Sequence, residues 1–170
     1  MKLSISIGFD EEAAENIMKV AADLKKCSRK GFFRKKSEFR MHLLVMDEVT
    51  NIQPILKEAE LMQLEPFTVK INSLDRSRRD GGDIYWVRAE ENEILTELNK
   101  TLIELAEENG YEYSKKAFKP RVELGQVIIA RPDFEVEPFE ARVKNIAIVK
   151  HIPSYDRVNY DVYYRRELKK

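Results

Sequence analysis

The sequence predicts an α+β fold in which strands and helices are interspersed. Alternation of apolar and polar residues indicates strands with one buried face, and apolar residues spaced by three and four indicate amphipathic helices. Counting both patterns gives about seven or eight strands and three helices in 170 residues. A short motif in the first half also has a counterpart in the second half, which indicates an internal repeat.

The first half of the chain is predicted to open with a strand and a helix. Leu3, Ile5 and Ile7 alternate with small residues, as in a half-buried strand. Asp10 then supplies an N-cap for a helix from about Glu11 to Lys26, whose apolar residues form one stripe. The elements that follow are a basic loop or short strand from Arg29 to Lys36, a strand from Phe39 to Val45, a helix from Ile52 to Leu61 with Pro54 in its first turn, and a strand from Phe67 to Ile71.

The second half contains the most regular helical pattern of the chain. It runs from Glu93 to Asn109, and Gly110 is placed to end it. The other predicted elements are a basic hairpin loop from Asp75 to Gly82, a central strand from Ile84 to Val87, a strand opening at Arg121 that the apolar run 127–130 either extends or follows after a bulge, an irregular connection from Arg131 to Phe139, and two final strands, Val143 to Ile152 and Val158 to Tyr164.

Composition limits the classes of function. Thirty basic and thirty acidic side chains cancel, so net charge favours neither nucleic acid nor any other partner, and only local clusters are informative. Cys27 is the single cysteine and has no disulfide or metal-binding partner. No apolar run approaches the ~20 residues needed to cross a bilayer, and no signal peptide is recognisable. We therefore expect a cytoplasmic protein without membrane contact.

The repeated motif consists of Phe39–Val45 and Phe118–Leu124. In each copy, a phenylalanine stands three residues before a cationic or titratable residue that opens a strand. Alternation predicts that Leu43 and Val45 point into a core and leave His42 and Leu44 on the opposite face. In the second copy, Val122 and Leu124 would point inward and leave Arg121 and Glu123 outside. Two such faces across a cleft would make a site.

Over nearly its whole length the chain resembles the two-histidine phosphoesterases, which include bacterial RNA 2′,3′-cyclic phosphodiesterases historically called 2′-5′ RNA ligases. The family carries two His-x-Thr/Ser signatures, one in each of two pseudo-symmetric lobes. Here they read His42-Leu43-Leu44 and Arg121-Val122-Glu123. The resemblance also covers the opening strand, the segment Gly31–Lys36, the segment Asp80–Trp86, and Phe118-x-Pro120.

The resemblance implies a bilobal fold with two mostly antiparallel sheets, flanked by helices, around a central groove. Residues 1–170 would be a single phosphoesterase-like domain of two interleaved lobes. Family chemistry uses two imidazoles for proton transfer and a hydroxyl beside each for the phosphate oxygens, with no metal and no other cofactor. The partner would be an RNA end or another nucleotide phosphate ester.

His42 is the candidate catalytic residue, since a near-neutral pKa suits an imidazole to act as a general acid or base. The alternative is a half-buried or surface histidine with no catalytic role. Arg121 cannot shuttle protons because a guanidinium stays protonated, but its planar donors suit a phosphate. It would either bind phosphate or pair with Glu123 or another carboxylate. Leu44 and Glu123 occupy the two hydroxyl positions of the ligand site, where an apolar side chain and a carboxylate oppose the ancestral chemistry.

Further candidates lie outside the two signatures. Five basic residues are possible RNA contacts, and the alternative is that they are ordinary solvated charges: Arg34, Lys35, Lys36, Arg78 and Arg79. Trp86 is either a stacking surface or, as its apolar strand favours, a core residue. His151 is a conceivable replacement proton donor, but a lone histidine at a strand end is expected to be solvated.

Three functions follow from these residues. The first is a phosphodiesterase acting on RNA ends or cyclic nucleotides with weakened or altered chemistry through His42. The second is a module that binds a phosphate or an RNA terminus without turnover, and the third is an interaction protein whose groove is abandoned. Because only one group that can transfer protons remains in the two signatures, we predict poor hydrolysis of 2′,3′-cyclic phosphates. Activity should recover after Leu44→Thr with Arg121→His, with or without Glu123→Thr.

Overall fold

The computed structural model describes residues 1–169. The elements over this range are β1 (Lys2–Phe9), α1 (Glu11–Lys26), β2 (Ser28–Phe33), a 3₁₀ turn (Lys36–Glu38), β3 (Arg40–Asp47), α2 (Gln53–Leu61), β4 (Phe67–Ser77), β5 (Asp83–Ala89), α3 (Glu93–Glu108), β6 (Glu112–Tyr113), β7 (Arg121–Ala130), β8 (Phe139–Pro153) and β9 (Val158–Glu167).

The helices begin and end where local chemistry dictates. The Asp10 carboxylate accepts a hydrogen bond from the Ala13 N–H at 2.8 Å and caps α1. The Asn92 side chain caps α3 in the same way, and Pro54 occupies the first turn of α2. Gly110, at φ 68°, follows α3 with the left-handed backbone that favours glycine.

All the strand pairs are antiparallel, and their order carries a pseudo-two-fold symmetry. The order is β2-β7-β5-β4-β8-β1-β3-β6, with β9 also paired to β8. Exchanging β1 with β5, β2 with β6, β3 with β7 and β4 with β8 reverses this order onto itself. The pairing of β4 with β8 joins a first group, β8-β1-β3-β6, to a second group, β2-β7-β5-β4, so the two predicted sheets are continuous at the lobe boundary. The predicted α+β, bilobal fold is confirmed.

The lobes exchange strands. β2 follows α1 but pairs with β7 of the second group, and β6 follows α3 but pairs with β3 of the first. One face of the sheet buries the apolar residues of all three helices in a continuous core. None of the helices described over residues 1–169 combines the length and apolar character needed to cross a membrane.

The segment from Arg29, predicted as a loop or short strand, is mostly strand, and the predicted hairpin loop from Asp75 to Gly82 is shortened by three strand residues. The segment from Arg29 lies mostly in β2, and β4 extends through Arg76 to Ser77, which leaves a shorter turn that ends in Gly81 and Gly82. β7 continues through the apolar run to Ala130, with Val127 at φ 55° marking an irregularity within it. Arg29, Lys30 and Arg76 are therefore part of strands β2 and β4 and do not lie in loops.

Candidate functional site

A groove of about 490 Å³ lies where β3 of the first lobe faces β5 and β7 of the second. His42 and Arg121 both line it, as the repeated motif predicts for one shared site. The other lining residues are Leu43, Leu44, Val45, Ser77, Arg79, Trp86, Asn99, Ser114, Lys116, Ala117, Phe118, Lys119, His151 and Tyr160.

A β-bulge at Leu43 changes which residues of β3 face the groove. Ser6 pairs with His42, but Ile5 pairs with Leu44, so Leu43 is the extra residue. Directly opposite residues of antiparallel strands share a face. Leu44 therefore shares a face with Ile5 and is only 8% exposed, although it borders the groove, and Val45 lies with Ser4 on the groove face. The prediction that Leu44 faces outward and Val45 inward is wrong, because strict alternation ignores the bulge.

His42 is held by a buried serine. Its Nδ1 lies 2.7 Å from the Ser4 Oγ, and the same hydroxyl lies 2.9 Å from the Nε2 of His151. Burial lowers the pKa of His42 well below its ordinary value, with smaller contributions from His151, Arg40 and Arg34. His42 is therefore neutral at neutral pH.

His151 is buried and lies beside His42, so the prediction of a solvated histidine is wrong. The two ring centroids are 5.0 Å apart, and the ring of Tyr160 packs against both. Burial, with the positive charges of Lys2 and Arg34, lowers the pKa of His151 to about 4. His151 lies near the end of strand β8, which pairs with both β1 and β9, and this pairing places its side chain at the groove.

Arg121 is held between an aromatic ring and a carboxylate. Its guanidinium lies 3.9 Å from the centroid of the Trp86 ring, and its Nη1 lies 3.7 Å from the Asp75 carboxylate. Asp75 also pairs with Arg88 at 3.4 Å, so one carboxylate serves two cations. Burial lowers the pKa of Arg121, but the group remains charged in the working range.

Trp86 lines the groove and is half-buried. Its indole N–H donates to the Ser77 Oγ at 3.1 Å. The prediction of a core tryptophan is wrong because β5 buries Tyr85 and Val87 on one face and turns Trp86 to the other. The prediction that β5 is a central strand is confirmed, since β5 lies between β4 and β7.

Glu123 does not pair with Arg121. It is 4% exposed and forms a buried ion pair with Arg34, which is 2% exposed. The Gln126 amide and the Tyr160 hydroxyl also donate to Glu123, at 2.9 and 3.0 Å. Of the two predicted ion pairs of Arg121, with Glu123 or with another carboxylate, the second is the one formed, and the carboxylate is that of Asp75. Arg34 is a structural cation and cannot meet RNA from a solvated loop.

The other predicted RNA contacts are dispersed. Lys36 pairs with Glu11 and Glu15 on α1, while Lys35 and Arg78 are exposed. Arg79 is also exposed and lines the groove. Of the five basic residues predicted to contact RNA, only Arg79 is placed at the groove.

The charge of the groove differs from that of the whole chain. Over residues 1–169 the lining of the groove includes no carboxylate. It includes four cationic residues, Arg79, Lys116, Lys119 and Arg121. Within that same range, no group of three or more histidine, cysteine, aspartate or glutamate side chains is arranged to hold a metal ion.

Tyr160, which lines the groove, and Ser4, which is buried beneath His42, were not predicted from the sequence. A signal for Tyr160 was available, because the four-residue loop between Pro153 and Val158 closes a hairpin in which Tyr160 stands opposite His151. The alternating serines of β1 gave no comparable signal, since small polar residues on a strand face are ordinarily solvated.

The fold is shared with solved structures, among them LigT and a protein described as a phosphoesterase, in line with the resemblance to the two-histidine phosphoesterases. The crystal structure of TT0787 from Thermus thermophilus superposes with a TM-score of 0.76 at 20% identity, covering 99% of this chain and 98% of that one. E. coli LigT complexed with 3′-AMP superposes with a TM-score of 0.71 at 18% identity and the same coverage. A crystal structure described as a phosphoesterase gives 0.72 at 18% identity, again with the same coverage. No protein-family model and no curated protein matches the chain.

Proposed function

We propose that this protein binds the phosphate of an RNA end or a nucleotide in the groove between its lobes and hydrolyses 2′,3′-cyclic phosphates weakly through His42. The observation that carries the proposal is the charge of the groove. Among residues 1–169, four cationic residues and no carboxylate line it, although basic and acidic residues are equally numerous in the chain. Such a local excess of positive charge favours an anionic ligand.

The arrangement of Arg121 and Trp86 suits a nucleotide. A guanidinium presents paired N–H donors to phosphate oxygens, and an aromatic face offers a stacking surface for a base. E. coli LigT, which shares the fold, has been crystallised with 3′-AMP, with ATP and with phosphate. These ligands support a phosphate ester as the probe for this groove.

We also infer that residues 1–170 act as one domain, since the groove needs both lobes, and that the protein works in the cytoplasm.

The chemistry expected at this groove is weak. His42 is neutral and can accept a proton, but Arg121 stands where the second imidazole is expected and cannot donate one. The hydroxyls expected beside each imidazole are also missing, because Leu44 and Glu123 stand at those positions, and the Glu123 carboxylate is paired with Arg34. Loss of one acid or base lowers a rate by roughly 10²- to 10⁴-fold.

A second candidate function is binding of a phosphate terminus without turnover. It is favoured by the presence of Arg121 in place of the second expected histidine, since arginine adds a permanent cation and removes a proton donor. The two functions differ only in whether His42 still transfers a proton to or from the bound ester.

One experiment separates them. Purified protein is mixed with excess 2′,3′-cyclic AMP, product formation is followed over hours, and binding of 3′-AMP is measured in parallel. We expect saturable binding with slow turnover that His42→Ala abolishes. Binding without turnover would support the second function, and absence of binding would contradict both. Strong turnover that survives His42→Ala would show that the chemistry lies elsewhere.

A further inference from the structure

The Ser4 hydroxyl stands between two histidines and has a single proton. Its Oγ lies 2.7 Å from the Nδ1 of His42 and 2.9 Å from the Nε2 of His151. Ser4 is fully buried, and both rings are further confined by Tyr160. The hydroxyl can donate to only one of the two nitrogen atoms and must accept a proton from the other.

This constraint leaves two arrangements when both histidines are neutral. In one, His42 donates from Nδ1 to Ser4, and Ser4 donates to the Nε2 of His151, whose own proton is then on Nδ1. In the other, His151 donates from Nε2 to Ser4, Ser4 donates to the Nδ1 of His42, and the proton of His42 is on Nε2. The two rings therefore carry their protons on nitrogen atoms of the same name.

We infer that Ser4 and His151 are positioning residues that couple their protonation to His42, so that the three side chains form a proton relay from the groove to a second opening. His151 lines both places: the groove beside His42, and a separate cavity of about 600 Å³ walled by Met1, Lys2, Asp47, Glu112 and Pro153. Use of the relay in turnover rests on the proposed function, whereas the coupling of the two rings does not.

The relay step conserves protons and charge. Starting with both protons on Nδ1, the Nε2 lone pair of His42 accepts a proton from a water molecule as that water attacks phosphorus. The Nδ1 proton of His42 passes to Ser4, and the hydroxyl proton of Ser4 passes to the Nε2 of His151. His42 ends neutral with a proton on Nε2, and His151 ends as an imidazolium. Reversal of the transfers returns the proton from His42 to the departing ribose oxygen.

Such a relay gives one imidazole both proton-transfer tasks, which Arg121 cannot share. The charges around it are arranged to keep its resting form neutral. His42 faces Arg34, Arg40 and His151, while His151 faces Lys2 and Arg34, and Tyr160 packs against both rings. Desolvation and these cations hold both histidines unprotonated near neutral pH, where the hydrogen-bonded chain is complete.

The test is a long-range ¹H–¹⁵N NMR spectrum of the protein at neutral pH, which identifies the protonated nitrogen of each ring. The chain contains only two histidines, so both can be assigned with His42→Gln and His151→Gln. We expect the two rings to show the same tautomer in the wild-type protein. His42 protonated on Nδ1 together with His151 protonated on Nε2 would overturn the inference without any variant.

Ser4→Ala is the second arm, and Ser6→Ala is its matched control. Ser6 is equally buried on the same face of β1 but binds Arg40 and not a histidine. We expect Ser4→Ala alone to change the tautomer balance of both rings, and to lower turnover of 2′,3′-cyclic AMP by about ten-fold or more with little change in 3′-AMP binding. Unchanged tautomers in folded Ser4→Ala protein would overturn the inference. Coupled tautomers in a protein without turnover would instead contradict the proposed function.

Discussion

We expect the proposed phosphate binding to depend most directly on Arg121. Trp86 stacks on its guanidinium, and the partner carboxylate of Asp75 is shared with Arg88. A charge-assisted contact contributes roughly 1.5 to 3 kcal/mol, so Arg121→Ala should weaken 3′-AMP binding about ten- to a hundred-fold. The loss should shrink as salt rises, and Arg121→Lys should recover part of it.

Arg88→Ala is the control for that measurement. Arg88 binds the same Asp75 carboxylate from the neighbouring strand but does not line the groove. It should leave the isotherm within about two-fold, since exposed charges are largely screened. An unaltered isotherm for Arg121→Ala with a lowered melting temperature would mean that Arg121 serves only the fold.

Glu123 is predicted to matter for stability. Its partner Arg34 is almost fully buried, and removal of one member of a buried ion pair leaves an uncompensated charge that costs about 3–5 kcal/mol. Glu123→Thr should therefore destabilise the protein in urea unfolding and should not rescue activity. Glu38→Gln is the control, because Glu38 contacts the same guanidinium at 3.6 Å but is partly exposed. Equal losses for the two variants would contradict this account.

Residue-level predictions from the sequence succeeded where alternation was regular. The groove-facing positions of His42 and Arg121 follow from the period of a strand. Leu44 could not be placed, because a bulge depends on the partner strand. Glu123 could not be paired correctly, because Arg34 approaches from β2, which crosses from the other lobe.

At the scale of elements, β9 is fastened to the second lobe at its first residue. The Val158 N–H donates to the Gln126 Oε1 at 2.8 Å, and its carbonyl accepts from Arg34 at 2.5 Å. Gln126→Leu should remove the first contact and raise hydrogen exchange at Val158 by about three- to ten-fold, as expected for one hydrogen bond. The Ile5 amide in central strand β1 serves as the reference. Unchanged protection at Val158 would show that the hairpin is held by β8 alone.

The helices were predictable because caps and apolar stripes are local signals. The bounds of α1 agree with the sequence prediction, and those of α2 and α3 differ by one residue at an end. The exchange of β2 and β6 between lobes was not predictable, since pairing partners of short strands are set by tertiary packing and not by local pattern.

For the whole molecule, the two buried histidines predict how stability depends on pH. The pKa of His151 is lowered to about 4, whereas the unfolded chain has an ordinary value near 6.5. The unfolded state therefore binds more protons between these values, so stability is full above pH about 6.5 and falls as pH drops toward about 4. The His151 contribution lost is roughly 3 kcal/mol. Urea midpoints across this range should fall less steeply for His151→Gln than for wild type; parallel curves would contradict the assignment.

The most direct test of the central claim, that a phosphate ester binds in the groove between the lobes, uses the only tryptophan of the chain. Because Trp86 lines the groove and stacks on Arg121, its indole N–H gives one NMR signal that reports on the site. Titration with 3′-AMP should shift this signal saturably, together with the amides of His42 and residues 116–121, and Arg121→Ala should suppress the response. An indole signal that stays fixed while amides elsewhere on the surface shift would contradict the account.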